Sequence, residues 1–117
     1  MNKAYVFIVA IIQIRFLYRE AEGKRARWVS CSMPIEGRTD NAGFVFMDHP
    51  NNPEHPVPWR VDGELGISPS RCIAGQWELG KAEIQIHQYR ILVFCGDRDP
   101  SLVNNNWRDF CIKTSMN

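Results

Sequence analysis

Few side chains in this chain are able to do chemistry, and their spacing narrows what that chemistry is. His87 follows Glu83 by four residues, and on a strand residues 83, 85 and 87 project to one face. That spacing would let Glu83 orient His87 as a general acid or base. His49 and His55 stand beside Asp48 and Glu54, a local set of imidazole and carboxylate groups held in a stiff proline-rich stretch. Metal ions take such ligands, yet the six-residue spacing between the histidines follows no metal-binding signature, and no metal is assigned.

Four cysteines, Cys31, Cys72, Cys95 and Cys111, are widely separated and form no C-x-x-C pair, so neither a zinc knuckle nor a dithiol redox site is signalled. Cys31 follows Val29, and Cys95 ends the run Leu92-Val93-Phe94. Both settings suit small buried hydrophobes better than disulfides. A reducing, cytoplasmic setting is therefore expected, the alternative being two disulfides in an exported chain. Ser68-Pro69-Ser70-Arg71 is a turn, not the G-x-S-x-G elbow of a serine nucleophile. There is no glycine-rich phosphate loop, and no cofactor is implied.

Two binding chemistries remain. Lys24-Arg25-Ala26-Arg27-Trp28 places basic side chains beside an aromatic, the combination that grips phosphates and stacks a base in single-strand binders. A net charge of +1 disfavours nucleic acid as the main partner. The tryptophans offer the second chemistry. Trp59, Trp77 and Tyr89 would line an apolar pocket on a curled sheet, with His87 or Arg90 as its polar anchor. Any single tryptophan suits the core of a small domain better than a pocket wall.

The elements that must position these residues read as mainly β. Ala4 to Ile12 is an unbroken apolar run, followed by the alternating Gln13-Ile14-Arg15-Phe16. Its length falls well short of the roughly 20 apolar residues of a membrane span. The Lys3 flank and the run's length also match a signal-peptide core, which would make the protein secreted or periplasmic. Its Val, Ile, Phe and Tyr content favours a strand instead, the first arm of a long hairpin turning near Glu20 to Lys24.

A second hairpin is expected over Gln76 to Gln85, with Gly80-Lys81 at the centre of a type II′ turn and Trp77 facing Ile84. The return strand would continue to Cys95, with a bulge near His87-Gln88. Further strands are expected at Gly43–Met47, Trp59–Val61 and Leu65–Ile67. Asp48 to Pro58 holds four prolines and must be an irregular loop. Asp99-Pro100 has the form of a helix N-cap followed by proline at the first helical position. Leu102, Val103, Trp107, Phe110 and Cys111 would then share one face of a short helix.

A chain of 117 residues that is 44% hydrophobic fills one compact domain, residues 1–117, without linker or repeat. Residues 1–30 carry six Lys or Arg against two Glu, while acidic residues predominate in the remainder. The expected architecture is a curled antiparallel sheet or small β-barrel, mainly β or α+β with one short C-terminal helix. The function expected of it is non-enzymatic binding, either of a small apolar molecule or of a protein partner, including a second copy paired through an edge strand as a homodimer. An enzyme using His87 with Glu83, and a nucleic-acid binder using Lys24, Arg25, Arg27 and Trp28, are the alternatives.

Overall fold

In the computed structural model, residues 4–8, 21–62, 66–96 and 99–115 are described. Strands β1 (Ala4–Ile8), β2 (Trp28–Pro34), β3 (Asn41–Asp48) and β6 (Tyr89–Cys95) form one sheet in the order β1-β2-β3-β6. Strands β4 (Trp59–Asp62) and β5 (Gly66–Pro69) form a separate antiparallel pair. A 3-10 turn over Arg71–Ile73 and one helix, α1 (Pro100–Ser115), complete the described elements.

The central ladder follows from sequence signals that agree with one another. β2 and β3 pair antiparallel, Trp28 facing Met47 and Pro34 facing Asn41. Between them the chain turns over Ile35 to Arg38, where the Arg38 N–H bonds the Ile35 carbonyl at 3.1 Å and Gly37 adopts φ +82°. A positive φ at the third turn position is what glycine supplies without steric cost. β3 then pairs antiparallel with β6, Ala42 facing Cys95 and Asp48 facing Tyr89.

Residues that alternate along these strands divide into two layers. Trp28, Val45, Met47, Leu92 and Phe94 face α1 and pack with Val103, Trp107 and Phe110. Gly43 lies on the same side beneath its cross-strand neighbour Phe94. A Cβ there would collide with the Cys31 carbonyl and approach the Phe94 ring to 2.9 Å. On the other face Val29 and Phe46 pack with Ala21, Ala26, Val57, Trp59, Val61 and Ile67, so the β4–β5 pair covers that end of the sheet. Trp59 is 1% exposed and donates its indole N–H to the Ala26 carbonyl at 2.8 Å.

The C-terminal helix starts where Asp99-Pro100 places it. The Asp99 carboxylate accepts the Ser101 N–H at 2.9 Å, satisfying one of the helix's free donors. Val103, Trp107, Phe110 and Cys111 turn wholly or partly inward, whereas Leu102 is 62% exposed. The expected apolar face was one residue too wide.

Three expectations are corrected. Among the described residues the sheets are open, with β1 and β6 as opposite edges, so there is no small barrel; β4–β5 and α1 cover faces of the sheet and do not close it. β1 runs parallel to β2, Ala4 beside Trp28 and Ile8 beside Ser32. A parallel pair cannot be joined by a tight turn, so the first hairpin is not formed. Lys24 does close a turn, its N–H bonding the Ala21 carbonyl at 3.0 Å. The side chains of Ala4 to Ile8, the remainder of the apolar run to Ile12, the alternation Gln13 to Phe16, Glu20 and Leu65 lie outside what is described.

The second hairpin is also absent. Residues 74–88 form no strand, and their turn is centred on Lys81-Ala82, with the Glu83 N–H bonding the Gly80 carbonyl at 3.1 Å. Ala82 takes φ +66°. The Glu83 carboxylate bends back to accept the Gly80 N–H at 2.6 Å, which shifts the turn one residue beyond the expected Gly80-Lys81 centre.

Candidate functional site

The residues expected to act together are distributed over different surfaces. Glu83 is engaged with Gly80, as described above, and does not orient His87. The His87 ring is exposed, with contacts of 3.4 Å from Nδ1 to the Tyr89 hydroxyl and from Nε2 to Gln85 Oε1. Those distances are at the outer limit of a hydrogen bond. Trp77 lies under the Arg71 guanidinium, 4.3 Å from the ring centroid, and Arg71 also donates to Gln85 Oε1 at 2.8 Å.

Arg90 and Tyr89 are neighbours on β6 and therefore point to opposite faces. Arg90 faces α1, donating to Asp109 at 3.0 Å and to Asn106 at 3.0 Å. This hydrogen bond is the main reason the Asp109 carboxyl is held below its ordinary value; Lys113 adds to the effect. Trp59 is inside the core. The pocket expected from Trp59, Trp77, His87, Tyr89 and Arg90 is not assembled, because the sheet stands between Arg90 and Tyr89 and the core encloses Trp59. A small recess of about 90 Å³ involves Trp77 with Glu54, Arg71 and Gly75, but neither His87, Tyr89 nor Arg90 lines it. Ligand pockets commonly measure ~300–1,000 Å³.

The basic segment separates in the same way. Arg25 binds Glu54 at 3.0 Å and the Pro56 carbonyl at 3.1 Å. Arg27 reaches Asn104 Oδ1 at 2.6 Å and stacks over Trp107, while Lys24 remains exposed. Trp28 is 2% exposed and donates to the same Asn104 oxygen at 3.1 Å, so its ring offers no platform for a base.

Asp48, His49 and His55 form a structural knot. Asp48 is fully buried, and its carboxylate accepts from His55 Nδ1 at 2.6 Å, Asn52 Nδ2 at 2.8 Å and the Val57 N–H at 3.1 Å. Asn52 in turn donates to the Gln88 carbonyl at 2.7 Å and accepts the Gln88 N–H at 2.7 Å, imitating one more rung of the ladder. The loop over residues 49–58 is thereby tied to the entrance of β6. His49 accepts the Asn51 N–H at Nδ1 and packs against Phe110, turned away from His55's partner. Among the described residues no group of three or more His, Cys, Asp or Glu comes together in a way that could hold a metal.

What the knot positions is the outer face of β6. Tyr89, Ile91, Val93 and Cys95 alternate outward and are exposed, Ile91 by 58% and Val93 by 75%. Phe46 supports this face from β3, its ring 5.7 Å from that of Tyr89 and edge-on to it. Burial raises the Tyr89 hydroxyl above its ordinary value, and the charge of Asp48 adds to this. Leading into β6, Ile84 and Ile86 are 87% and 70% exposed. This accumulation of open branched apolar side chains is unusual for an isolated soluble surface. The alternation was visible in Tyr89 to Cys95, but which phase lay uncovered depended on where α1 docked.

A family model, the family of unknown function DUF6807, matches residues 14–108, and the chain belongs to that family. No curated protein and no solved structure matches it.

Proposed function

We propose that this member of the family is a non-enzymatic binding module that docks an apolar polypeptide surface on the outer side of β6. The supporting observation is the exposed row Tyr89, Ile91 and Val93, standing on a strand whose opposite side packs against α1. Burying a Val or Ile side chain contributes roughly 1.5–3 kcal/mol, so this row supplies a substantial share of the roughly 8 kcal/mol net that micromolar recognition requires. Backbone and rim contacts must supply the remainder and offset the cost of association. A small apolar molecule fits less well, because the aromatic and polar groups that would have held it are separated by the sheet. None of the four cysteines is in a disulfide, and the two exposed ones, Cys72 and Cys95, are compatible with a reducing cytoplasmic setting.

Selection from a displayed peptide library tests this reading. Wild-type protein should enrich segments of alternating apolar residues, and Val93→Glu or Ile86→Glu should weaken their binding by about tenfold or more. A library that returns no binder sensitive to either substitution would overturn the reading.

A further inference from the structure

We propose that β6 pairs antiparallel with β6 of a second copy about a twofold axis at Leu92, joining two four-stranded sheets into one of eight. The inference deepens the reading of β6 as the working surface and rests on it for the importance of that strand, but its own support is the backbone. β6 is an edge strand, and no described strand pairs with its outer side. The inner side is identified by two bonds that flank the strand: the Gly96 N–H meets the Asn41 carbonyl at 2.7 Å, and the Gln88 carbonyl accepts the His49 N–H at 3.4 Å. Even-numbered residues therefore direct their N–H and C=O groups toward β3. The odd-numbered residues, Tyr89, Ile91, Val93 and Cys95, direct theirs to the open edge.

This parity selects the register. Two copies can exchange hydrogen bonds only when odd residues face odd residues, which removes every register pairing odd with even. Among those left, a twofold axis at Leu92 uses all seven residues of the strand. Tyr89 then faces Cys95 of the second copy, and Ile91 faces its Val93, each as a pair exchanging both backbone bonds. The side-chain consequences are favourable too. Ile91 against Val93 is a branched apolar pair on the open face. Arg90 faces Phe94 and never a second Arg90, and it is already neutralised by Asp109. Natural sheet edges are commonly guarded by lysine, proline or a bulge. β6 carries none of these, and its one charged residue points toward the helix.

The inferred contact is isologous, as a twofold dimer requires. It brings the exposed odd-numbered residues of both strands side by side on one face, doubling the apolar surface available to a partner.

Sedimentation equilibrium of the full chain should give twice the chain mass. Ile91→Pro removes an outward N–H that no described strand uses, so it should keep the circular-dichroism spectrum of the fold while weakening the dimer by about 30-fold or more. A covalent readout covers the case in which that variant fails to fold. Tyr89→Cys should form an intermolecular disulfide with the native Cys95, since directly paired Cα atoms lie about 5.5 Å apart, within disulfide range. Peptide mapping should locate the bond, and Cys95→Ser should abolish it. A monomeric wild type overturns the inference, as does a dimer that lacks the 89–95 cross-link. Peptide binding that persists in such a monomer and is lost in Val93→Glu would leave the docking function standing without the dimer.

Discussion

The carboxylate of Asp48 gathers three donors at a site that water does not reach. Removing it takes the acceptor from the Val57 N–H and the His55 ring, and leaves the Asn52 amide only its bonds to Gln88. Asp48→Ala should therefore cost about 3–5 kcal/mol, the range for breaking a buried ionic or hydrogen-bonded group, measurable by urea denaturation. Asn52→Ala also loses three bonds, but two of them join neutral groups, so it should cost about half as much. Gly43→Ala tests steric limits, because the added methyl meets the Cys31 backbone. A loss of at least about 2 kcal/mol is expected.

Asp109 gives the pH dependence its sign. Its carboxyl is held below the ordinary value of 3.8 by the Arg90 hydrogen bond, so the stabilisation is present above that pH and declines as pH falls through the lower folded-state value. Asp109→Asn should remove this part of the acid limb, as followed by fluorescence against pH. The effect is small, since the pair is partly exposed and screened. At this scale the sequence was partly legible. Asp48 and His55 stood out as groups with ligand chemistry, but their seven-residue separation predicts a contact only once the intervening loop has folded back.

Helix α1 covers one face of the sheet through Val103, Trp107 and Phe110. Phe110 is 3% exposed between the helix and the Arg90 guanidinium, which lies 5.0 Å from its ring centroid. Phe110→Ala should cost about 3–5 kcal/mol, seen as a lower denaturation midpoint. Trp107 adds a directional tie, donating to the Asp48 carbonyl at 2.9 Å and stacking on His55. The helix was legible because its signals are local: an aspartate cap, a proline, and apolar residues at helical spacing. The segment before β6 misled for the same reason. Trp77, Ile84 and Ile86 imitate paired strands, yet a hairpin needs its two arms to meet, and no local pattern guarantees that they do. The parallel alignment of β1 with β2 was equally hidden, since register between distant segments leaves no mark on either one.

For the whole molecule, the uneven treatment of the two sheet faces matters most. One face is packed by α1 along β2, β3 and β6; the other is covered by β4–β5 only toward Val29 and Phe46. No described helix is long and apolar enough to cross a membrane. Charge presents little obstacle to assembly, because a net charge of +1 gives copies of the chain almost no long-range repulsion. Raising the salt concentration should accordingly leave both the peptide affinity and the assembly state within about twofold, in contrast to the steep loss expected of a phosphate-contacting protein.

The opposite directions taken by odd and even backbone groups in β6 also have a temporal consequence. Amide protons locked against β3 exchange with deuterated water only when the strand opens, while those on the free edge are exposed without any opening. In a single copy with its edge vacant, the strand should therefore carry a two-residue rhythm of exchange rates: slow at 90, 92 and 94, fast at 89, 91, 93 and 95. Occupation of the edge would erase that rhythm, making β6 report by its own clock whether anything lies beside it.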